Sequence, residues 1–225
     1  MDTITLSKKN RLFWLGRYAE RVYQGVEIIR YIQDLSIDND SYIDLDGVCN
    51  RIGIKNNFAS AEDFCLTYAF DKHLTNSMLS TAEAMLGNGM VLRELLGSPT
   101  LSYLQMAVSA LEIASTSSSY ALELQWVLDD IMAFKGSYNE FVDSEKARNT
   151  IKTGSSLEKL TTVMLFYPDK SSLPRELHKL INRVQKTNLD YNTVCLERIE
   201  QFLEREEVYT DDSTLLYDVM NLVLI

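Results

Sequence analysis

Charged residues near the start of the chain are spaced so that they could bind a carboxylate. The segment LFWLGRYAER, residues 12–21, holds Arg17 and Arg21 four residues apart, with Glu20 between them. A guanidinium presents a fixed fork of N–H donors that matches the two oxygens of a carboxylate. Glu20 could hold that fork in place or act itself as a general acid or base. The segment is therefore a candidate site for carboxylate binding or for an ion-pair network.

A later segment, GSSLEK at residues 154–159, repeats this arrangement in weaker form. It places Glu158 and Lys159 four and five residues after a glycine, as Glu20 and Arg21 follow Gly16. The position that corresponds to the first arginine holds a serine, so the second copy is degraded. Two copies of one spacing indicate an internal repeat built on two pseudo-equivalent helices.

These segments resemble the alpha-E family, helical bacterial proteins named for a Glu-Arg motif. Residues 12–21 resemble the family's motif closely, and residues 154–159 resemble its later copy. Residues 88–94, which end in Arg93 and Glu94, resemble the family's central Asn-Ala-Arg-x-x-Arg-Glu helix, with Gly89 and Met90 replacing its small residue and first arginine. The resemblance runs from about residue 11 to residue 165 and implies a shared helical fold.

The resemblance also implies a function. Alpha-E proteins are typically found with, or fused to, ATP-grasp carboxylate-amine ligases, often beside transglutaminase-like peptidases, and are expected to act in peptide synthesis or modification. The chain would then be a non-catalytic partner that binds or presents the ligase's peptide substrate. No cofactor is expected in this chain, because ATP and Mg²⁺ would belong to the ligase.

The motif residues themselves leave more than one interpretation open. They could form a structural ion-pair network, or they could grip a carboxylate of a peptide. Alternatively, the chain could be an enzyme acting on peptide carboxylates through Glu20, with Arg17, Arg21 and Arg93, or a structural module that forms a homo-oligomer. The candidate residues for substrate binding or the network are Arg17, Glu20, Arg21, Arg93, Glu94, Glu158 and Lys159.

Gly16 lies inside a predicted helix, where a glycine costs about 1 kcal/mol relative to alanine. Close approach of another backbone or of a ligand would explain it. On a helical wheel of about 100° per residue, Glu20 falls on one stripe while Arg17 and Arg21 fall on another. Neither stripe belongs to the main apolar face.

Apolar residues recur at three- and four-residue intervals along most of the chain, which is the helical period. The first helix is expected to have Ser7 as its N-cap and to reach about Leu35. Later helices are expected near residues 42–54, 64–70, 75–96, 99–114, 122–134, 147–165, 174–187, 190–207 and 213–224. The predicted fold is all-α, a multi-helix bundle with a degenerate internal repeat.

Capping and turn residues mark the breaks between these helices. Ser60 followed by Asp63 resembles a capping arrangement, and Gly97 followed by Pro99 should end one helix and open the next. Residues 167–174 form the clearest loop. We predict a single helical domain over residues 1–225, in which residues 1–167 carry the motifs and residues 174–225 form a C-terminal helical group.

Composition restricts the classes of partner and ligand. The net charge is −10 and no run of lysine or arginine could follow a phosphate backbone, which argues against nucleic acid and anionic membranes. The three cysteines are odd in number and widely spaced, and the start of the chain is polar, so we expect free thiols in a cytoplasmic protein. Two histidines and scattered cysteines suit no typical metal site.

Overall fold

The computed structural model describes residues 5–37, 43–167, 169–204 and 212–225. Over these residues the fold is almost entirely helical, which confirms the predicted all-α class. The elements in chain order are α1 (Leu6–Ile37), α2 (Leu45–Ile52), α3 (Ala61–Phe70), α4 (Met78–Val91), α5 (Arg93–Ser115), α6 (Tyr120–Phe141), α7 (Glu145–Phe166), α8 (Leu173–Gln185), β1 (Asp190–Tyr191), α9 (Thr193–Glu204), α10 (Asp212–Met220) and β2 (Val223–Leu224).

The chain divides into two compact units, and the division falls inside α1. Unit 1 comprises residues 1–17 and 143–225, and unit 2 comprises residues 18–142. Unit 1 is therefore discontinuous in sequence, since its first helical segment precedes the whole of unit 2. The single domain over residues 1–225 stays a prediction.

Unit 1 is built around α7, which packs against α8 and α10. Leucines of α7 and α8 recur on one face of each helix, and the core they form includes Phe13 from the start of α1. Helices α9 and α10 close this core, which consists of Phe13, Leu157, Leu160, Met164, Leu173, Leu177, Leu180, Ile181, Val184, Leu189, Cys195, Leu196, Ile199, Leu215, Val219 and Leu222. Through Leu157, Leu160 and Met164, this core anchors the second half of α7 within unit 1.

Unit 2 contains the remainder of α1 together with α2 to α6. Helices α5 and α6 pack against each other, and α3 and α4 both contact α5. The predicted apolar face of α1 is buried at Val22, Val26 and Ile29. Phe64 of α3 and Phe134 of α6 are fully buried. Phe58, in the loop before α3, also packs edge-on against Phe64 at a ring-centroid distance of 5.2 Å, so this core combines helix-helix contacts with a loop residue.

Several helix ends follow the predicted chemistry and one does not. The Ser60 hydroxyl caps α3 by accepting a hydrogen bond from the backbone N–H of Asp63 at 3.1 Å, as predicted. Ser7 was expected to cap α1, and this is wrong. The helix already begins at Leu6, and the Thr5 side chain accepts from the N–H of Lys8 at 3.4 Å.

The stretch predicted as one helix over residues 75–96 is divided in the structure. Helix α4 ends at Val91, and Leu92 leaves the helical conformation at φ −92° and ψ 8°. A short helical stretch then reaches Gly97, whose φ of 73° is in the left-handed region that glycine tolerates. Pro99 follows in the next helical stretch, so the predicted break at Gly97 is confirmed.

Two short strands replace the predicted helical conformation just before α9 and after α10. Asp190, predicted to open a helix, pairs instead with Leu224 in an antiparallel ladder, and Tyr191 pairs with Val223. Residues 205–207 of the predicted helix, like Tyr42 near the start of α2, lie outside the described residues. The two strands fix the end of α10 beside the start of α9.

None of the helices in the described ranges combines the length and the apolar character needed to cross a membrane. All three cysteines lie within those ranges and are buried and unbridged, which confirms the prediction of free thiols.

Candidate functional site

The glycines of the two motif copies lie at a close crossing of α1 and α7 in unit 1. A Cβ atom on Gly16 would overlap the carbonyl oxygen of Ile151 and would lie 2.8 Å from its carbonyl carbon. The backbone nitrogen of Ser155 would be 3.1 Å away. These neighbours are backbone atoms, which cannot swing aside as a side chain can. The prediction that Gly16 permits close approach of another backbone is confirmed.

The same contact occurs in reverse at Gly154. A Cβ atom there would overlap the carbonyl oxygen of Phe13 and would lie 3.1 Å from the backbone nitrogen of Arg17. Each glycine thus meets the residue three positions before the other glycine and the residue one position after it. This reciprocity is the pseudo-equivalence of the two helices that the repeat predicts.

Arg17 of the first motif copy pairs with Glu158 of the second. Its Nε donates to Oε2 at 2.7 Å, and the two side chains are only 16% and 9% exposed. The Arg17 guanidinium also lies 5.0 Å from the centroid of the Trp14 ring, a cation-π distance. Because the pair is largely shielded from water, removing one partner would leave a poorly solvated charge and would be more costly than at an exposed ion pair. The pair holds the crossing helices in register.

Glu20 is a buried carboxylate in unit 2, 3% exposed, and receives hydrogen bonds at both oxygens. Lys135 of α6 donates to Oε2 at 2.7 Å, and Gln24 donates to Oε1 at 2.9 Å. The Lys135 ammonium also lies 4.5 Å from the Tyr23 ring centroid. Burial, followed by the charges of Glu27 and Glu20, raises the pKa of Tyr23. The cation that pairs with Glu20 is thus Lys135 of α6 and not an arginine of the motif.

Arg21 lies beside Glu20 in sequence but contacts a different part of unit 2. Its Nη1 donates to Oδ1 of Asn76 at 3.5 Å, and its guanidinium is 6.0 Å from the Tyr18 ring centroid. Asn76 has a φ of 68°, a left-handed conformation that asparagine tolerates better than most residues. Arg21 thereby connects α1 to the turn before α4.

The other predicted site residues lie apart from these contacts. Arg93 and Glu94 are exposed at the start of α5, and Arg93 makes no ion pair with a carboxylate in residues 5–37, 43–167, 169–204 or 212–225. Lys159 is in unit 1, with its Nζ 3.6 Å from Oε1 of Glu176 rather than beside its neighbour Glu158. The structure therefore divides the predicted set into separate contacts.

One buried carboxylate was not predicted. Glu176 of α8 is 4% exposed, and Oε1 accepts from Lys179 at 2.9 Å. Arg175 and Lys159 add cations at 3.2 and 3.6 Å. Burial acts to raise the pKa of Glu176, but the Lys179 hydrogen bond and the three positive charges outweigh it, so the pKa is lowered. The four-residue spacing of basic residues along α8 is the signal that could have identified this cluster.

Both motif carboxylates are engaged by cations of the protein itself. Glu158 and Glu20 each receive a cation from the chain itself, at 2.7 Å in both cases. Within the described part of the chain, no group of three or more histidine, cysteine, aspartate or glutamate side chains is arranged to hold a metal ion. These contacts join α1 to α7 in unit 1 and α1 to α6 in unit 2.

The fold and site together define an all-helical protein in which two repeated helices cross through paired glycines. The chain belongs to the Alpha-E family, a predicted alpha-helical domain with a conserved ER motif, which it matches over residues 8–185. Glu20-Arg21 is an ER pair within that range, and the match extends through α8, beyond the recognisable motifs. No curated protein and no solved structure matches the chain.

Proposed function

We propose that the chain is a cytoplasmic, non-catalytic partner of an ATP-grasp carboxylate-amine ligase, which it assists in peptide synthesis or modification. The observation that carries this proposal is the engagement of both motif carboxylates, Glu158 by Arg17 and Glu20 by Lys135. A general acid or base must reach a substrate proton, whereas Glu20 is 3% exposed and bonded at both oxygens. The motif is thus better suited to holding a scaffold than to turnover.

The choice of partner rests on the resemblance to alpha-E proteins, which are typically found with ATP-grasp ligases. ATP and Mg²⁺ would be bound by the ligase, and the activated carboxylate would be formed there. A transglutaminase-like peptidase acting on the same peptide is a further expected partner. Three buried free thiols are consistent with a reducing compartment.

An exposed apolar pair on α6 supports a role in protein association. Leu122 and Trp126 lie one helical turn apart and are 75% and 62% exposed. Exposed apolar side chains that adjoin one another often mark interaction sites, and tryptophan is enriched among residues that dominate binding energy. We assign this pair to the contact with the ligase.

The test is co-expression with an ATP-grasp ligase encoded beside this chain. We expect the two proteins to co-purify, and ATP-dependent ligation by the ligase to fall when this chain is omitted. The chain alone should not turn over ATP or peptide. Turnover by the isolated chain, or full ligase activity without it, would overturn the proposal.

A matched pair of variants makes this test specific. Trp126→Ala should weaken co-purification without unfolding the chain, because the side chain is largely in solvent. Met90→Ala removes another exposed apolar side chain, 44% exposed and on α4 rather than α6, and serves as control. Equal retention of ligase by both variants would count against the α6 surface.

The exposed α6 pair also favours a second candidate function, a homo-oligomeric scaffold. In that case the same apolar surface would be buried between two copies of the chain. Sedimentation of the purified chain distinguishes the two candidates. A dimer that dissociates on Trp126→Ala substitution supports self-association, and a monomer at high concentration excludes it.

A further inference from the structure

Basic side chains line α7 and α8 on facing sides, although the chain as a whole carries a charge of −10. On α8 and at its C-cap, basic residues recur every three or four positions from Arg175 to Lys186. On α7, Arg148 and Lys152 are four positions apart, and Lys159 follows seven positions after Lys152. Residues three, four or seven apart share one face of a helix, so each set forms a stripe. The stripe residues are Arg148, Lys152, Lys159, Arg175, Lys179, Arg183 and Lys186.

Contacts between the two helices show that the stripes adjoin. Arg183 of α8 donates from Nη1 to the hydroxyl of Ser156 and, at 3.5 Å, to the carbonyl oxygen of Lys152. One further turn along α7, Lys159 reaches Glu176 of α8 at 3.6 Å. The basic side chains therefore lie along one continuous surface of unit 1.

The cations at one end of this surface share a carboxylate, Glu176. Glu176 serves Lys159, Arg175 and Lys179 together, which leaves an excess of positive charge even there. At the other end, Lys152, Arg183 and Lys186 make no ion pair with any carboxylate in the part of the chain that the structure describes. The surface has an excess of cations.

The uncompensated end is also partly desolvated. Lys152 and Arg183 are half-buried. Burial, and then the charges of Arg183 and Arg148, lower the pKa of Lys152, against the opposing effect of Glu145. Like charges held this close repel one another and reduce stability. An anionic ligand would reduce the repulsion among these cations and would supply the missing negative charge.

We propose that the α7–α8 surface binds an acidic peptide segment in an extended conformation. This inference rests on the proposed function, because it assigns the surface to the ligase's peptide and specifies that the peptide is acidic. Arginine forks and lysine ammonium groups both bind carboxylates. The binding surface is thus on the second repeat helix, α7, and on α8.

Spacing along the helix favours an extended peptide. Residues four apart on α8, such as Arg175, Lys179 and Arg183, are separated by about 6 Å along the helix axis. Alternate residues of an extended peptide are about 6.6 Å apart and point to the same side. Carboxylates at every second position would therefore match successive cations. The full α8 stripe, about 16 Å long, would take about five peptide residues.

Calorimetric titration of the full chain tests this directly. The probe is a peptide of about eight residues in which glutamate alternates with glycine, with both termini blocked. We expect binding at low salt that weakens as ionic strength approaches about 0.15 M, where the screening length is about 8 Å. The same peptide with glutamine for glutamate should bind at least about tenfold more weakly.

Two double variants separate the surface from general charge effects. Lys152→Gln with Lys186→Gln should raise the Kd for the glutamate peptide about tenfold. Lys55→Gln with Lys72→Gln makes the same change in net charge at exposed positions of unit 2 and should leave the Kd unchanged. Circular dichroism of both proteins checks that the helices persist. If the first variant does not fold, Lys186→Gln alone, an exposed change, replaces it.

Outcomes for the peptide and for the ligase are read separately. Peptide binding that depends on Lys152 and Lys186 supports the inference even if no ligase co-purifies, in which case only the proposed partner is wrong. Equal binding of the glutamate and glutamine peptides overturns the inference whatever the ligase does. Tighter binding of a single-stranded oligothymidine than of the acidic peptide would also overturn it.

Discussion

Gly16 and Gly154 each occupy a position where the other helix leaves no room for a side chain. The carbonyl oxygen of Ile151 lies where a Cβ of Gly16 would be, and that of Phe13 lies where a Cβ of Gly154 would be. At both positions the close approach of the two helices is possible only because glycine has no Cβ atom. At these two positions the helices meet backbone to backbone.

The first prediction is that Gly16→Ala and Gly154→Ala each destabilise the protein. The added methyl group must displace backbone of the facing helix, and overpacking of this kind typically costs about 1–3 kcal/mol. Urea unfolding followed by circular dichroism measures the change. Gly136→Ala in α6 is the control, because nothing lies within 4 Å of its Cβ position. It should gain about 0.5–1 kcal/mol, and equal effects at all three glycines would contradict the crossing.

The second prediction concerns coupling between Arg17 and Glu158. A double-mutant cycle with Arg17→Met and Glu158→Gln should give an interaction energy of about 0.5–3 kcal/mol. The pair is at 2.7 Å and largely shielded from solvent. The matched control is Glu27 with Arg30 on α1, at 3.5 Å and more than one third exposed, where about 0.2–0.5 kcal/mol is expected. If the interaction energy of Arg17 with Glu158 is no larger than that of Glu27 with Arg30, the buried pair does not hold the helices in register.

The third prediction is a loss of stability in acid that depends on Glu176. Because its pKa in the folded protein is below the ordinary value of 4.5, folding favours the carboxylate. That contribution is present above about pH 4.5 and is lost as pH falls through the lowered pKa. Unfolding free energies measured from pH 7 downward should fall less steeply in Glu176→Gln. If the unfolding free energies of the two proteins fall in parallel with pH, Glu176 does not contribute to stability in this way.

The fourth prediction concerns the Cys65 thiol, whose pKa burial raises to about 12. Folding therefore favours the neutral thiol, and its contribution to stability is full below the ordinary pKa of 9.0 and lost as pH rises toward 12. At pH 8 the folded protein should alkylate at Cys65 roughly a thousandfold more slowly than the urea-unfolded chain, because the thiolate reacts. Mass analysis of the labelled peptide measures this rate, and fast labelling would contradict the burial.

The helical fold was predictable because periodicity and capping are local properties of sequence. The apolar face of α1 and the break at Gly97 both follow from residues within a few positions of one another. The meaning of Gly16 was also accessible, since a glycine inside a helix needs a reason. The short β1–β2 ladder was missed, because its strands are two residues each and carry no period.

The cation beside Glu20 could not have been predicted from spacing. Lys135 is 115 residues away in sequence, and nothing in its neighbourhood distinguishes it from a surface lysine. Arg93 was chosen because of its place in a motif, yet the structure leaves it exposed. Charge pairing depends on which helix faces meet, and a single sequence does not contain that information.

The discontinuity of unit 1 has a consequence for biosynthesis. Arg17 and Glu158 are separated by 141 residues, so the start of α1 leaves the ribosome long before its native neighbours exist. Native contacts at such separation slow folding, and apolar side chains such as Phe13 stay uncovered meanwhile. Emerging chains should therefore engage holdase chaperones through residues 12–15 until α7 has been translated.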